Sequence, residues 1–97
     1  MSEKKSYLKG IHILAVDDEA DILETIEEIL EDANVDTARD YKSASQKIKD
    51  RKYDLAILDI MGVDGLQLLA EAVQREIPTV MLTAHAISPD TLMESIQ

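Results

Sequence analysis

Residues 55–65 read LAILDIMGVDG. Four apolar residues, Leu55 to Leu58, form a run suited to a strand covered on both faces, as parallel sheets require. The run ends in a carboxylate, Asp59, and a short loop with two glycines follows. The same grammar recurs upstream. IHILAV at 11–16 is a nearly continuous apolar run, and Asp17, Asp18 and Glu19 come straight after it. It recurs downstream in TVMLT at 79–83, entered through Pro78 where proline is tolerated and ending in Thr83. VDTAR at 35–39 alternates instead, which fits a shorter and more exposed strand lying to one side.

The segments between these runs have helical spacing. Ile22, Ile26, Ile29, Leu30 and Ala33 recur at three- and four-residue steps, with Glu24, Glu27, Glu28 and Glu31 between them. That predicts an amphipathic helix with an acidic outer face. Tyr41, Ala44 and Ile48 mark a second helix, with Lys47, Lys49, Arg51 and Lys52 at its end, where cations suit the helix dipole. Leu66, Leu69, Ala70 and Val73 predict the apolar side of a third, starting near Asp64. Ser88-Pro89-Asp90 has the form of a helix start, with Leu92, Met93 and Ile96 on the apolar side. The order is β-α-β-α-β-α-β-α, so the fold class is α/β with an open, mostly parallel sheet and helices on both faces.

Bulk composition narrows the function. With 97 residues, one domain is expected over 1–97, with residues 1–9 a polar N-terminal extension. The chain has no phenylalanine, tryptophan or cysteine. Its core must be aliphatic, and disulfides, zinc–thiolate sites and thiol nucleophiles are excluded. A net charge of −10 argues against a nucleic-acid-binding surface on this segment and suits a domain that binds a cation. No apolar signal core opens the chain and no apolar run approaches membrane-spanning length, so no membrane partner and a cytoplasmic location are the default expectations.

Ligands of open α/β sheets bind at the carboxyl ends of the strands. Asp17, Asp18, Asp59 and Thr83 all fall there, on the runs that read as most buried. Clustered carboxylates repel, and a divalent cation is the simplest relief. An all-oxygen set suits Mg²⁺, Mn²⁺ or Ca²⁺, not zinc or copper. The chemistry implied is phosphoryl binding or transfer at a carboxylate.

LAVDDE at the end of the first strand, LAILDI at the end of the third and VMLTA at the end of the fourth resemble the receiver domain of bacterial two-component response regulators. Motif order and spacing match over essentially the whole chain. The resemblance implies a flavodoxin-like (CheY-like) doubly wound topology with strand order 2-1-3-4. It implies that Asp59 is the phosphoacceptor, served by a histidine kinase or phosphotransfer protein. It implies that Asp18 is a direct Mg²⁺ ligand, that Asp17 acts mainly through water, and that the Met61 backbone carbonyl completes the metal shell together with Asp59. Thr83 resembles the switch hydroxyl, and Ala84 the small residue that leaves room for the phosphate. Such a domain is a signalling phosphoacceptor, not an enzyme.

The sequence departs from the family pattern in two ways. DIMGVDG is two residues shorter than the usual loop and has Gly62 where proline is usual. The family's lysine that pairs with the phosphoryl group, its aromatic switch residue, and its fifth strand and helix would all lie beyond Gln97. A receiver domain incomplete at its C-terminus is therefore expected. If the chain truly ends at Gln97, strand four becomes an open edge, and a homo-oligomer or exchange of elements between chains is expected. The alternative reading is a degenerate or truncated receiver that serves only as a protein-interaction or dimerisation module.

Blander readings exist for single residues. Asp17 and Asp18 alone would suit helix capping. Asp59 has no such excuse, because its helix begins later. Asp17, Glu19, Asp21 and Glu28 match EF-hand loop positions, but Ile22 occupies the place that needs glycine. Gly62 and Gly65 lack the Gly-Lys-Ser/Thr of a P-loop. Met61 occupies the place where a haloacid-dehalogenase-type phosphatase needs a second acid. His85 reads as a loop residue tuning access, His12 as structural, and the lysines of 42–52 as a solvated helix end.

Overall fold

A computed structural model describes residues 9–59 and 64–82. Met61, Thr83, Ala84, His85 and the helix start at Ser88 lie outside the described residues. Seven elements follow one another: β1 (His12–Val16), α1 (Ala20–Ile29), β2 (Asn34–Ala38), α2 (Tyr41–Asp50), β3 (Leu55–Asp59), α3 (Gly65–Gln74) and β4 (Thr79–Leu82). The strands form one sheet in the order β2-β1-β3-β4, and every pairing is parallel. This is the flavodoxin-like order that the resemblance implies. Two central strands carry the burial: all of β3, and β1 from Ile13 onward. The alternating segment, β2, lies at the edge and is mostly half-buried.

Side-chain alternation along the strands splits the core in two. Ile13, Ala15, Leu55, Ile57 and Leu82 pack with Leu23, Ile26 and Leu30 of the α1 segment. Leu14, Val16, Ala56 and Leu58 pack on the other face with Ala44 and Ile48 of α2 and Leu68 and Ala72 of α3. The α1 layer is aliphatic, whereas the layer under α2 and α3 also buries the Tyr53 ring and has Tyr41 packed against it, so the expected all-aliphatic core holds on one face only.

Two helices differ from their sequence reading. The helical geometry of α1 stops at Ile29, with Leu30 as C-cap, so Ala33 lies past its end and packs from the following turn. In α3 the buried residues are Gly65, Leu68 and Ala72, and Leu69 is half-buried. Ala70 is exposed, Leu66 is 67% exposed and Val73 is 62% exposed. The helix therefore turns Gly65, Leu68 and Ala72 inward and leaves Leu66 and Val73 outside.

Helix α2 is tied at both ends. The Asp40 carboxylate accepts the Ser43 amide at 2.7 Å, a side-chain N-cap. The Lys47 ammonium donates to the Thr37 carbonyl at 2.7 Å. The Glu71 carboxylate of α3 accepts from two α2 hydroxyls, Tyr41 Oη and Ser45 Oγ, the latter at 2.8 Å.

Helix α3 ends in a six-to-one turn. The Ile77 amide donates to the Ala72 carbonyl at 2.9 Å and the Glu76 amide to the Val73 carbonyl at 3.0 Å. Glu76 takes φ +59°, the left-handed position that glycine favours. A left-handed non-glycine residue costs about 1–2 kcal/mol, part of which glycine returns through its freer unfolded chain. Glu76→Gly is therefore expected to stabilise the fold by about 0.5–1 kcal/mol. Urea unfolding reads this as a higher midpoint at unchanged slope, and a midpoint at or below wild type would refute it.

Candidate functional site

The register that joins the central strands also sets the site. Val16 lies opposite Leu58, so Asp17 and Asp59 emerge at one level on adjacent strands. The Asp17 amide extends the ladder to the β2 side by donating to the Ala38 carbonyl at 3.1 Å. Asp59 is opposite Leu82, the last residue of β4, on the other side. Three parallel strands thus end at one edge. Asp17 is 4% exposed and Asp59 9% exposed. A carboxylate this far from water is costly unless it is paired.

Asp17 is the electrostatic centre of the site. Burial pushes its carboxyl above the ordinary value, and the Glu19 amide, donating to Asp17 Oδ1 at 2.8 Å, pulls the other way. The neighbouring carboxylates of Asp59, Asp18 and Glu19 add to the rise. Capping does not explain this arrangement. The N-cap of α1 is Glu19, without a side-chain cap bond, and among the described residues the Asp17 side chain accepts from the Glu19 amide alone.

One carboxylate oxygen from each of Asp17, Asp18 and Glu19 lies within 4.8 Å of the other two. It is the one such group among the described residues, and Asp59 stands outside it, beside Asp17. The donors are all hard oxygens, so they fit a hard divalent cation such as Mg²⁺, Mn²⁺ or Ca²⁺. Glu19 is absent from the sequence-derived ligand set. Its one signal was adjacency to the Asp-Asp pair.

Arg39, just past β2, also reaches the site. Its Nη2 donates to the Asp18 carbonyl at 3.2 Å. A cavity of about 720 Å³ opens elsewhere, at the amino end of β3 and β4, between the ends of α2 and α3, lined in part by Ile48, Tyr53 and Ile77. The carboxylates take no part in it; they lie at the opposite ends of the strands. Among the described residues no helix is long and apolar enough to cross a membrane.

Comparison with known proteins agrees with this geometry. The sequence model of the response regulator receiver domain matches residues 13–96. The phosphate regulon transcriptional regulatory protein PhoB of Klebsiella pneumoniae is 41% identical over 86 residues, covering 80% of this chain and 38% of that protein. The transcriptional regulatory protein GlrR of Escherichia coli K12 is 35% identical over 95 residues, covering 92% of this chain and 21% of that protein. The chain thus spans well under half the length of these curated relatives. The crystal structure of the response regulator protein TrrA from Thermotoga maritima in complex with Mg²⁺–BeF superimposes with a TM-score of 0.70 at 36% identity, over 78% of this chain and 71% of that one. With its sheet order, its paired strand-end aspartates and a family match over nearly its full length, the chain belongs to the receiver domains of two-component response regulators.

Proposed function

We propose that this receiver domain takes a phosphoryl group on Asp59 from the phosphohistidine of a histidine kinase or phosphotransfer protein, with Mg²⁺ held by Asp17 and Asp18. The observation that carries the reading is the pair of buried carboxylates, Asp17 and Asp59, level with each other on adjacent central strands. Like charges held this far from water disfavour one another, and a divalent cation beside them would relieve that repulsion. The carboxylate group around Asp17 has the donor chemistry for it.

In the transfer a carboxylate oxygen of Asp59 forms a bond to phosphorus as the P–N bond to the donor imidazole breaks. The imidazole leaves with the bonding pair and takes up a proton, and an aspartyl phosphate remains. The bound cation supplies neutralisation of charge on the carboxylate and phosphoryl oxygens. Asp59 is held for this by a rigid strand buried along its whole length, so little motion is needed to present the nucleophile. By the family resemblance, Thr83 then donates its hydroxyl to the phosphoryl group, Ala84 leaves it room, and the Met61 carbonyl joins the metal shell. The same reading keeps the domain a signalling phosphoacceptor.

The test needs no cognate kinase. The intact chain is incubated with acetyl phosphate and Mg²⁺, and its mass is measured. One phosphoryl adduct that is lost when EDTA removes the cation is the expected result. Absence of any adduct in saturating Mg²⁺ would refute phosphoacceptance and leave the interaction-module reading in its place.

A further inference from the structure

Strand β2 is an edge of the sheet among the described residues, with β1 on one side of it and no strand on the other. In a parallel ladder, alternate residues of a strand turn their backbone groups toward a given neighbour. The Asn34 amide donates to the Ile11 carbonyl, and the Ala38 carbonyl accepts the Asp17 amide. Asn34, Asp36 and Ala38 are therefore the residues that bond to β1. Val35 and Thr37, between them, turn their amides and carbonyls outward. A row of outward backbone groups is a template for a strand from another chain.

One of these groups is already taken. Lys47, in the last turn of α2, donates its ammonium to the Thr37 carbonyl at 2.7 Å. We propose that Lys47 guards the open edge of β2 against the same strand of a second copy of this chain. The edge is complementary to itself. In an antiparallel pair centred on Asp36, the outward groups of Val35 in one copy meet those of Thr37 in the other. The Thr37 carbonyl of each copy would then accept the Val35 amide of its partner. The ammonium sits where that amide must arrive. Pairing would have to break the Lys47 bond and bring the positive end of an N–H against a cation. This inference concerns the sheet edge and is independent of the phosphoryl chemistry proposed above.

Two roles for Lys47 make opposite predictions. Lys47→Met keeps the length and the apolar stem and removes the ammonium. It takes the net charge from −10 to −11, so general repulsion between copies rises. If Lys47 were only one more surface charge, its loss would leave self-association equal or weaker. If it guards the edge, its loss strengthens self-association.

Sedimentation velocity on the intact chain, from micromolar to millimolar concentration, compares wild type, Lys47→Met and Lys47→Arg. Lys47→Met is expected to self-associate about ten-fold more strongly than wild type, in keeping with the backbone hydrogen bonds recovered at both Thr37 carbonyls. Lys47→Arg keeps a cation at the edge and should behave like wild type. Amide hydrogen exchange followed by NMR locates the contact. The Val35 and Thr37 amides should gain protection with rising concentration in Lys47→Met. Self-association of Lys47→Met equal to or weaker than that of wild type overturns the inference. So does stronger association that leaves the Val35 and Thr37 amides unprotected, which is the result expected if the substitution only loosens the fold. Circular dichroism of each variant at low concentration checks that the fold is intact.

Discussion

Asp59→Asn is expected to abolish labelling by acetyl phosphate, with a loss of roughly 100-fold or more, while the domain stays folded. The amide has the shape of the carboxylate, so the β3 packing around it is kept. Its oxygen is a far poorer nucleophile, so the O–P bond is not made. The change also removes one of the charges that push up the Asp17 carboxyl, so no loss of stability is expected. The measurement is intact-mass spectrometry of wild type and variant side by side, followed by peptide mapping. Label on the variant equal to that on wild type would move the acceptor to another side chain. Label reduced together with a collapsed circular dichroism spectrum would mark Asp59 as structural, not reactive.

The fold was legible because its central strands are extreme. LAILD and IHILAV are too short for helices and too continuous for half-exposed strands, so they had to be the middle of a parallel sheet. The alternation in VDTAR placed β2 at an edge, and it is at the edge. Helix α3 shows where the pattern misleads. Leu66, Leu69, Ala70 and Val73 have a helical period and high hydrophobicity, so they outweigh Gly65, Leu68 and Ala72 in any count of apolar residues. Packing follows a different rule. Which face is buried is set by how the helix packs on the sheet, and the face that carries Gly65, Leu68 and Ala72 leaves Leu66 and Val73 outside.

The site was legible in part, for a related reason. Residues that follow buried strands of a parallel sheet arrive at one edge by topology alone, which was enough to bring Asp17 and Asp59 together. Local spacing carries no trace of contacts that close across the chain. Arg39 meets Asp18 through a side chain that crosses from one strand end to another. Glu19 joins the carboxylate group because the Asp17 side chain holds its amide, a turn that sequence adjacency permits but does not require.

Asp17→Asn should separate the stability of this site from its function. The fold has removed the Asp17 carboxyl from water and placed it beside Asp59, Asp18 and Glu19, all of which disfavour its ionised form in the metal-free protein. Its folded-state pKa is raised, so the folded state holds the Asp17 proton more tightly than the unfolded chain does. The stability from this linkage is fully present below the ordinary value of 3.8 and is lost as pH rises through the raised folded value. Asparagine keeps the oxygen that accepts the Glu19 amide and carries no charge. The variant should therefore unfold a few degrees above metal-free wild type at pH 7, and the gap should narrow as pH falls into the range where Asp17 is protonated. Cation should reverse the order. At about ten times its dissociation constant a ligand of the folded state adds about 1.4 kcal/mol, which wild type should gain from Mg²⁺ and Asp17→Asn should largely forfeit. Thermal unfolding with EDTA and with Mg²⁺, each at pH 4 and pH 7, measures all four states. A variant less stable than wild type in EDTA at pH 7 would show that the Asp17 charge supports the fold. An Mg²⁺ shift equal to that of wild type would remove Asp17 from the cation's ligands.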